Sequence, residues 1–171
     1  SDVYGATNCT LCKPGYINTQ YGLTSINDCI PCSVGTYINV SGSTMCYNVP
    51  KGTYQDNEGQ NTTIPCPIGT SNNNTGSYDK SFCELCSIGK YQNIIGSYNC
   101  IECDKGHYQN LVGQIKCFQC PMGTYNEKLG VDNINDCIPC EKGTFSSTLS
   151  AITSDTCIIS PIGTYVDIFG S

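Results

Sequence analysis

Apolar residues never run long in this chain. No stretch approaches the ~20 consecutive apolar residues that a membrane helix needs. The pattern is instead a short recurring phrase, Cys-x-x-Cys-x-x-Gly-Thr-Tyr. Thr-Tyr and the residues ahead of the next cysteine have strand character. The pattern therefore predicts strands of two to four residues, many turns and almost no helix. The glycines of the phrase are Gly15, Gly35, Gly52, Gly69, Gly89, Gly106, Gly123, Gly143 and Gly163. The step between them is either seventeen or twenty, in the order long, short, short, long, short, short, long, long. Each is expected at positive φ, where the chain turns away from the cysteines. Seven residues later comes a second glycine (Gly22, Gly42, Gly59, Gly76, Gly96, Gly113, Gly130 and Gly170), with Ser150 as the exception. It reads as the tip of a hairpin or turn. The long modules carry three extra residues between the second glycine and the next cysteine.

A longer period, of three modules, lies above the short one: Gly52-Thr53-Tyr54-Gln55 meets Gly106-His107-Tyr108-Gln109. At twice that shift, Ile26 to Cys32 repeats letter for letter at Ile134 to Cys140. The sequence thus reads as one tandem array over residues 1–171, grown by duplication of a three-module block. The phrases at Ser1 to Gly5 and Val166 to Gly170 match partial modules, so a window on a longer array is expected. The architecture expected is an elongated, disulfide-stapled rod or solenoid of about nine modules, each touching only its neighbours.

Composition narrows the class. Of 171 residues 15 are cysteine, and no arginine or tryptophan is present. Cysteine at this density points to a disulfide scaffold. A net charge of −6 with eight lysines leaves no basic patch for nucleic acid. Disulfide scaffolds persist in oxidising places, so an extracellular or cell-surface location is expected. N-glycosylation acceptors at Asn8, Asn39, Asn61 and Asn73 agree with that compartment. N-linked glycans are the only attached group expected.

Connectivity can be argued from what is missing. Val49 stands where the second cysteine after Cys46 belongs, and Thr63 where the first cysteine before Cys66 belongs. If the second cysteine of each phrase bonds the first of the next, these are the two ends of one lost bridge. The rule gives Cys12–Cys29, Cys32–Cys46, Cys66–Cys83, Cys86–Cys100, Cys103–Cys117, Cys120–Cys137 and Cys140–Cys157, leaving Cys9 to a partner upstream. Pairing inside each Cys-x-x-Cys would instead leave Cys46, Cys66 and Cys157 without local partners. Sequence does not prove connectivity; the paired loss favours the first scheme. An aromatic two residues after the first glycine (Tyr37, Tyr54, Tyr91, Tyr108, Tyr125, Phe145 and Tyr165) suggests a ladder of rings along the array.

Cys-Ser-Val-Gly-Thr-Tyr at 32–37, Cys-Pro-Ile-Gly-Thr at 66–70 and Cys-Pro-Met-Gly-Thr-Tyr at 120–125 resemble the ephrin-receptor-like cysteine-rich repeat. They are also similar to tumour-necrosis-factor-receptor and growth-factor-receptor cysteine-rich modules. The resemblance implies extracellular, elongated, disulfide-laddered rods. Asn-, Ile- and Tyr-rich arrays of this kind also resemble protist coat antigens and extracellular filament subunits.

Other chemistry fares worse. A zinc ribbon would use pairs of Cys-x-x-Cys, but Cys46 and Cys66 would sit in broken half-sites and His107 is the single histidine. Asp28 and Asp136 lack the several oxygen ligands of a calcium loop and read as turn formers. No nucleophile, base and orienting group can be assembled, so no catalytic or metal-binding residue is assigned. The function expected is structural: a segment of a glycosylated surface filament or coat, its partners being copies of itself or adjoining repeats. The alternative is a receptor or stalk ectodomain that binds a protein ligand.

Overall fold

A computed structural model gives the fold and describes residues 9–22 and 24–170. Contacts divide the chain into two compact units. One is Ser1–Pro67 with Ser71–Glu84 and Ile95–Asn99; the other is Ile68–Thr70 with Leu85–Ile94 and Cys100–Ser171. Modules are numbered here by their first glycine, from Gly15 (module one) to Gly163 (module nine).

Among the described residues every strand is two residues long. In the first unit Tyr16–Ile17 pairs antiparallel with Ile30–Pro31, Thr36–Tyr37 with Tyr47–Asn48, and Thr53–Tyr54 with Ile64–Pro65. In the second, Lys90–Tyr91 pairs with Ile101–Glu102, His107–Tyr108 with Phe118–Gln119, Thr124–Tyr125 with Ile138–Pro139, and Thr144–Phe145 with Ile158–Ile159. A glycine at φ between 74° and 87° opens each of these hairpins. The threonine behind it closes a turn: Thr53 Oγ1 donates to the Pro50 carbonyl at 2.8 Å, and Thr124 Oγ1 to that of Pro121 at 2.7 Å. The aromatic that follows faces an apolar residue across the ladder, as Tyr54 faces Ile64 and Tyr108 faces Phe118. Such cross-strand pairs are the units that stabilise a sheet this small. The strand stops one residue later because the next backbone group bonds to the following module.

The three extra residues of the long modules form 3-10 turns just ahead of the first half-cystine: Ile26–Asp28, Lys80–Phe82, Ile134–Asp136 and Ser154–Thr156. Ser25 caps the first as part of a capping box with Asp28, while Asp79 and Asn133 cap the second and third. A capping oxygen satisfies a backbone N–H that a turn this short leaves open. The second glycines lie at φ between 65° and 75°, and Ser150 keeps a similar conformation at 56°.

Four backbone hydrogen bonds link successive modules within each unit. In the first unit the Gly35 N–H donates to the Gln55 carbonyl at 2.8 Å, Ile38 to Gln60 at 3.3 Å, Val49 to Gly35 at 3.0 Å, and Gly59 to Cys32 at 2.7 Å. In the second unit Gly89 donates to Gln109 at 2.7 Å, Gln92 to Gln114 at 3.0 Å, Cys103 to Gly89 at 2.9 Å, and Gly113 to Cys86 at 2.7 Å. The two units use the same positions of the module for these bonds.

Modules do not touch only their neighbours. A methyl group added at Gly15, in module one, would overlap the carbonyl of Gly59 in module three. In the second unit Gly69 meets Gly113, and Gly89 meets Gly130, in the same way. The second-glycine turn reaches past the adjacent module to the one beyond.

Candidate functional site

The feature that repeats with most detail is the module-to-module interface. Its centre is the residue three places after the first glycine. Gln55, Asn72, Gln92, Gln109, Asn126 and Ser146 are all buried polar residues at this position, and Ile38 is buried there too. A buried amide left unpaired costs about 1–3 kcal/mol; among the described residues no buried side-chain nitrogen or oxygen lacks a partner. The Gln109 Oε1 accepts from the Leu111 N–H at 3.0 Å, while its Nε2 donates to the Lys116 carbonyl at 2.7 Å. Gln55 does the same with Asn57 and Thr62, at 3.1 and 2.8 Å. Asparagine works differently. Asn72 Nδ2 donates to the Thr53 carbonyl at 2.9 Å and to Ser77 Oγ at 2.8 Å. Asn126 Nδ2 donates to the His107 carbonyl at 3.3 Å. Glutamine thus closes its own module, and asparagine both closes its own, through Asn74 and Ser77 or through Lys128, and reaches back to the one before.

Sequence reasoning overlooked this row of amides. A signal was present: an amide stands three places after Gly15, Gly52, Gly69, Gly89, Gly106 and Gly123, glutamine in the short modules and asparagine in the long ones. The aromatic residues do not build the ladder expected of them. Among the described residues the ring contacts are Tyr108 with Phe118, centroids 5.6 Å apart, and Tyr78 with Phe82 at 5.0 Å. Tyr108 meets Phe118 across its own hairpin, the Tyr16 ring lies against Gly59 of module three, and the amides occupy the space between modules.

Half-cystines line the same seam. Disulfides join Cys12 to Cys29, Cys32 to Cys46, Cys66 to Cys83, Cys86 to Cys100, Cys103 to Cys117, Cys120 to Cys137 and Cys140 to Cys157, with Cα atoms 5.5–5.8 Å apart. The first partner of each bridge is buried. Cys9 is exposed and unbridged among the described residues. In module three Val49 fills the cysteine position with no solvent exposure. It keeps both backbone bonds of that slot, to Gly35 at 3.0 Å and from Gly76 at 2.9 Å. Ser160 likewise donates its N–H to Gly143 at 3.0 Å.

The remaining sequence candidates fall outside this seam. Asn39, Asn61 and Asn73 are exposed, and Asn8 lies outside the described residues. Asn73 Oδ1 accepts from Lys51 Nζ at 2.9 Å. Asp28 spends its carboxylate on the Ser25 N–H at 3.1 Å, and Asp136 ends a 3-10 turn. His107 Nε2 lies 3.5 Å from Ser150 Oγ, so the histidine in the threonine slot meets the serine in the glycine slot. The Asp79 carboxyl is held below its ordinary pKa by its hydrogen bonds with Ser81, first the side chain and then the backbone N–H. Among the described residues no group of three or more His, Cys, Asp or Glu is placed to hold a metal ion. Nor is any helix there long and apolar enough to cross a membrane.

Fold and site together define a small disulfide-rich tandem repeat whose recurring geometry is the contact between successive hairpins. The family described as tyrosine-protein kinase ephrin type A/B receptor-like matches residues 35–83 and 89–137. These segments cover more than half of the chain, and it belongs to that family of cysteine-rich repeats. The two matches begin at Gly35 and Gly89, equivalent positions of successive three-module blocks. No curated protein matches the chain. The family is a receptor-like cysteine-rich repeat that is not typically catalytic. The disulfides and the family both point to an extracellular or surface setting.

Proposed function

We propose that this chain is a segment of a glycosylated extracellular filament or coat, built by stacking disulfide-linked repeats. The observation that carries this reading is the constancy of the step. Gly35 and Gly89, which open short modules, and Gly69 and Gly123, which open long ones, all donate to the residue three places after the next first glycine, at 2.7–2.9 Å. A head-to-tail interface that repeats without closing extends a structure along one direction. Most additions bury another amide and half-cystine in the seam, so stability accrues module by module. Its partners in this reading are copies of itself or further repeats of the same array.

A second reading, a receptor or stalk ectodomain that binds a protein, has one observation in its favour. In modules five to nine of the second unit the residues ahead of the second-glycine turn are apolar and exposed: Ile94, Leu111, Val112, Leu129, Leu149 and Phe169. Exposed apolar side chains in number mark interaction surfaces.

Negative-stain electron microscopy of the native, unreduced protein tests the first reading. Long filaments of uniform width with a short axial repeat are expected. Discrete particles of one length at every concentration would overturn it and leave the ligand-binding reading.

A further inference from the structure

Among modules one to eight, the one without a disulfide is also the one whose half-cystine slot completes a glycosylation acceptor. Thr63 occupies the position that Cys117 holds in module six, and it completes Asn61-Thr62-Thr63. Asn27 and Asn135 stand at the same distance before Cys29 and Cys137, whose sulfurs are in disulfides. Only in module three does the third residue keep a hydroxyl in place of a bridged sulfur.

We infer that Asn61 carries an N-linked oligosaccharide where the neighbouring modules carry a bridge, so that module three has exchanged a disulfide for a glycan. The inference rests on the extracellular reading proposed above. Three observations converge on it. Asn61 and Thr62 are exposed and Thr63 is half-buried. The Thr62 carbonyl accepts from Gln55 Nε2 at 2.8 Å, as the Lys116 carbonyl does from Gln109 at 2.7 Å. The loop therefore keeps the shape of its bridged counterpart without a covalent tie. Val49, at the other end of the absent bridge, is fully buried, so the slot facing Thr63 is already filled by carbon.

The chemistry differs from that of the other modules. A bridge needs an oxidant to take two electrons from a pair of thiols. Here Asn61 Nδ2 attacks the anomeric carbon of a lipid-pyrophosphate-linked oligosaccharide. The nitrogen–carbon bond forms, the carbon–oxygen bond to the pyrophosphate breaks, and the lipid pyrophosphate leaves with the electron pair. Nδ2 gives up one proton, and no redox partner is required. Because no disulfide closes this loop, the acceptor stays open to the transferase after the adjacent bridges have formed.

Asn39 and Asn73 are acceptors of another kind. Both lie four residues after a first glycine, in modules two and four. Each follows a fully buried residue, Ile38 or Asn72, and Asn73 is held by Lys51.

The test is site-resolved mass spectrometry of protein taken from the cells that secrete it. Enzymatic release of the sugar in heavy-oxygen water marks each occupied asparagine as a labelled aspartate. Label at Asn61 is expected. Label at Asn39 or Asn73 with none at Asn61 would overturn the exchange while leaving the extracellular reading intact. No label at any site would count against both. The double variant Val49→Cys with Thr63→Cys should lose the sugar at Asn61 and gain a bridge, whereas Thr63→Ser should keep the sugar. Retention of the sugar in the double variant would overturn the exchange.

Discussion

The carbonyl of Gly96 lies where a side chain on Gly52 would begin. These glycines are two modules apart, and both belong to the first unit. Gly52 is thus required twice, for its φ of 79° and for the absence of a β-carbon. Gly76 is required once. Its φ is 70°, but an added methyl would meet nothing closer than Asn48 at 3.5 Å, an ordinary contact.

The two substitutions should therefore separate. Gly76→Ala is expected to cost about 1–2 kcal/mol, the strain of a left-handed residue. Gly52→Ala must also displace backbone and is expected to cost more than about 3 kcal/mol, in the range that marks a specific steric failure. Hydrogen exchange at the Asn72 and Gly96 amides, which donate to the Ser97 and Cys66 carbonyls, would report it. Equal costs at the two sites would refute the second-neighbour contact.

An eighth bridge should fit module three. Val49 keeps the backbone hydrogen bonds of a half-cystine slot, and its sequence separation from Thr63 is the 14 that separates Cys32 from Cys46. Val49→Cys with Thr63→Cys is expected to form a disulfide and to raise stability by about 3 kcal/mol, the chain-entropy value for a loop near 15 residues. Denaturant unfolding of the double variant, measured unreduced without its glycan and set against the equally deglycosylated parent, checks this. A free thiol at both positions would show that the slot has closed around Val49.

Legibility differed along the phrase. The spacing of glycines such as Gly35 and Gly42 announced turns at positive φ, because few residues tolerate that conformation. The brevity of the strands followed from the same spacing. The 3-10 turns could have been read from Ser25, Asp79 and Asn133, capping residues that open the three-residue insertions. What stayed hidden was the partner of each polar residue. Gln109 and Asn126 look like ordinary surface amides in sequence, and only the contact with a neighbouring module buries them. Tyr54 and Tyr108 invited the opposite error. A regularly spaced ring suggests stacking between modules, yet Tyr54 has no ring partner among the described residues and Tyr108 meets Phe118 of its own hairpin. The contact between Gly15 and Gly59 was equally invisible, because a period says which residues are equivalent and not how far a turn reaches.

Acid should reveal the cap of the second 3-10 turn. Asp79 accepts from the Ser81 N–H at 2.7 Å, and its hydrogen bonds with Ser81 lower its pKa from the ordinary 3.8. A carboxyl depressed in the folded state contributes stability that is present above its unfolded pKa and lost as pH falls through the folded one. Asp79→Asn keeps a capping oxygen, as Asn133 does in module seven, but removes the titration; because it also completes a glycosylation acceptor with Lys80 and Ser81, variant and parent are both made without N-glycosylation. The stability advantage of the parent over this variant should therefore shrink between about pH 5 and about pH 2. An advantage constant over that range would mean that the carboxylate charge adds nothing to the cap.

The amide clamp should matter most where the bridge is missing. Gln55 and Gln109 sit at equivalent positions and make the same two hydrogen bonds, at 3.1 and 2.8 Å and at 3.0 and 2.7 Å. Module six also holds its loop with Cys103–Cys117. Module three has no covalent tie, so its loop depends on Gln55 and on the packing of Val49. Replacing either glutamine by alanine removes a buried amide and leaves its carbonyl partner unpaired, at about 1–3 kcal/mol. In module six the disulfide still limits how far the freed loop can open. In module three no covalent tie does, and local opening replaces simple loss of a contact. Gln55→Ala should therefore speed protease cleavage in the segment 56–63 by at least about tenfold, the factor that 1.4 kcal/mol confers. Gln109→Ala should change cleavage in 110–117 far less. Limited proteolysis of both variants, unreduced and deglycosylated, gives the comparison. If the order is reversed, the bridge and the clamp do not share the task of closing the loop. If reducing Cys103–Cys117 in the Gln109→Ala variant brings its cleavage rate up to that of Gln55→Ala, they do.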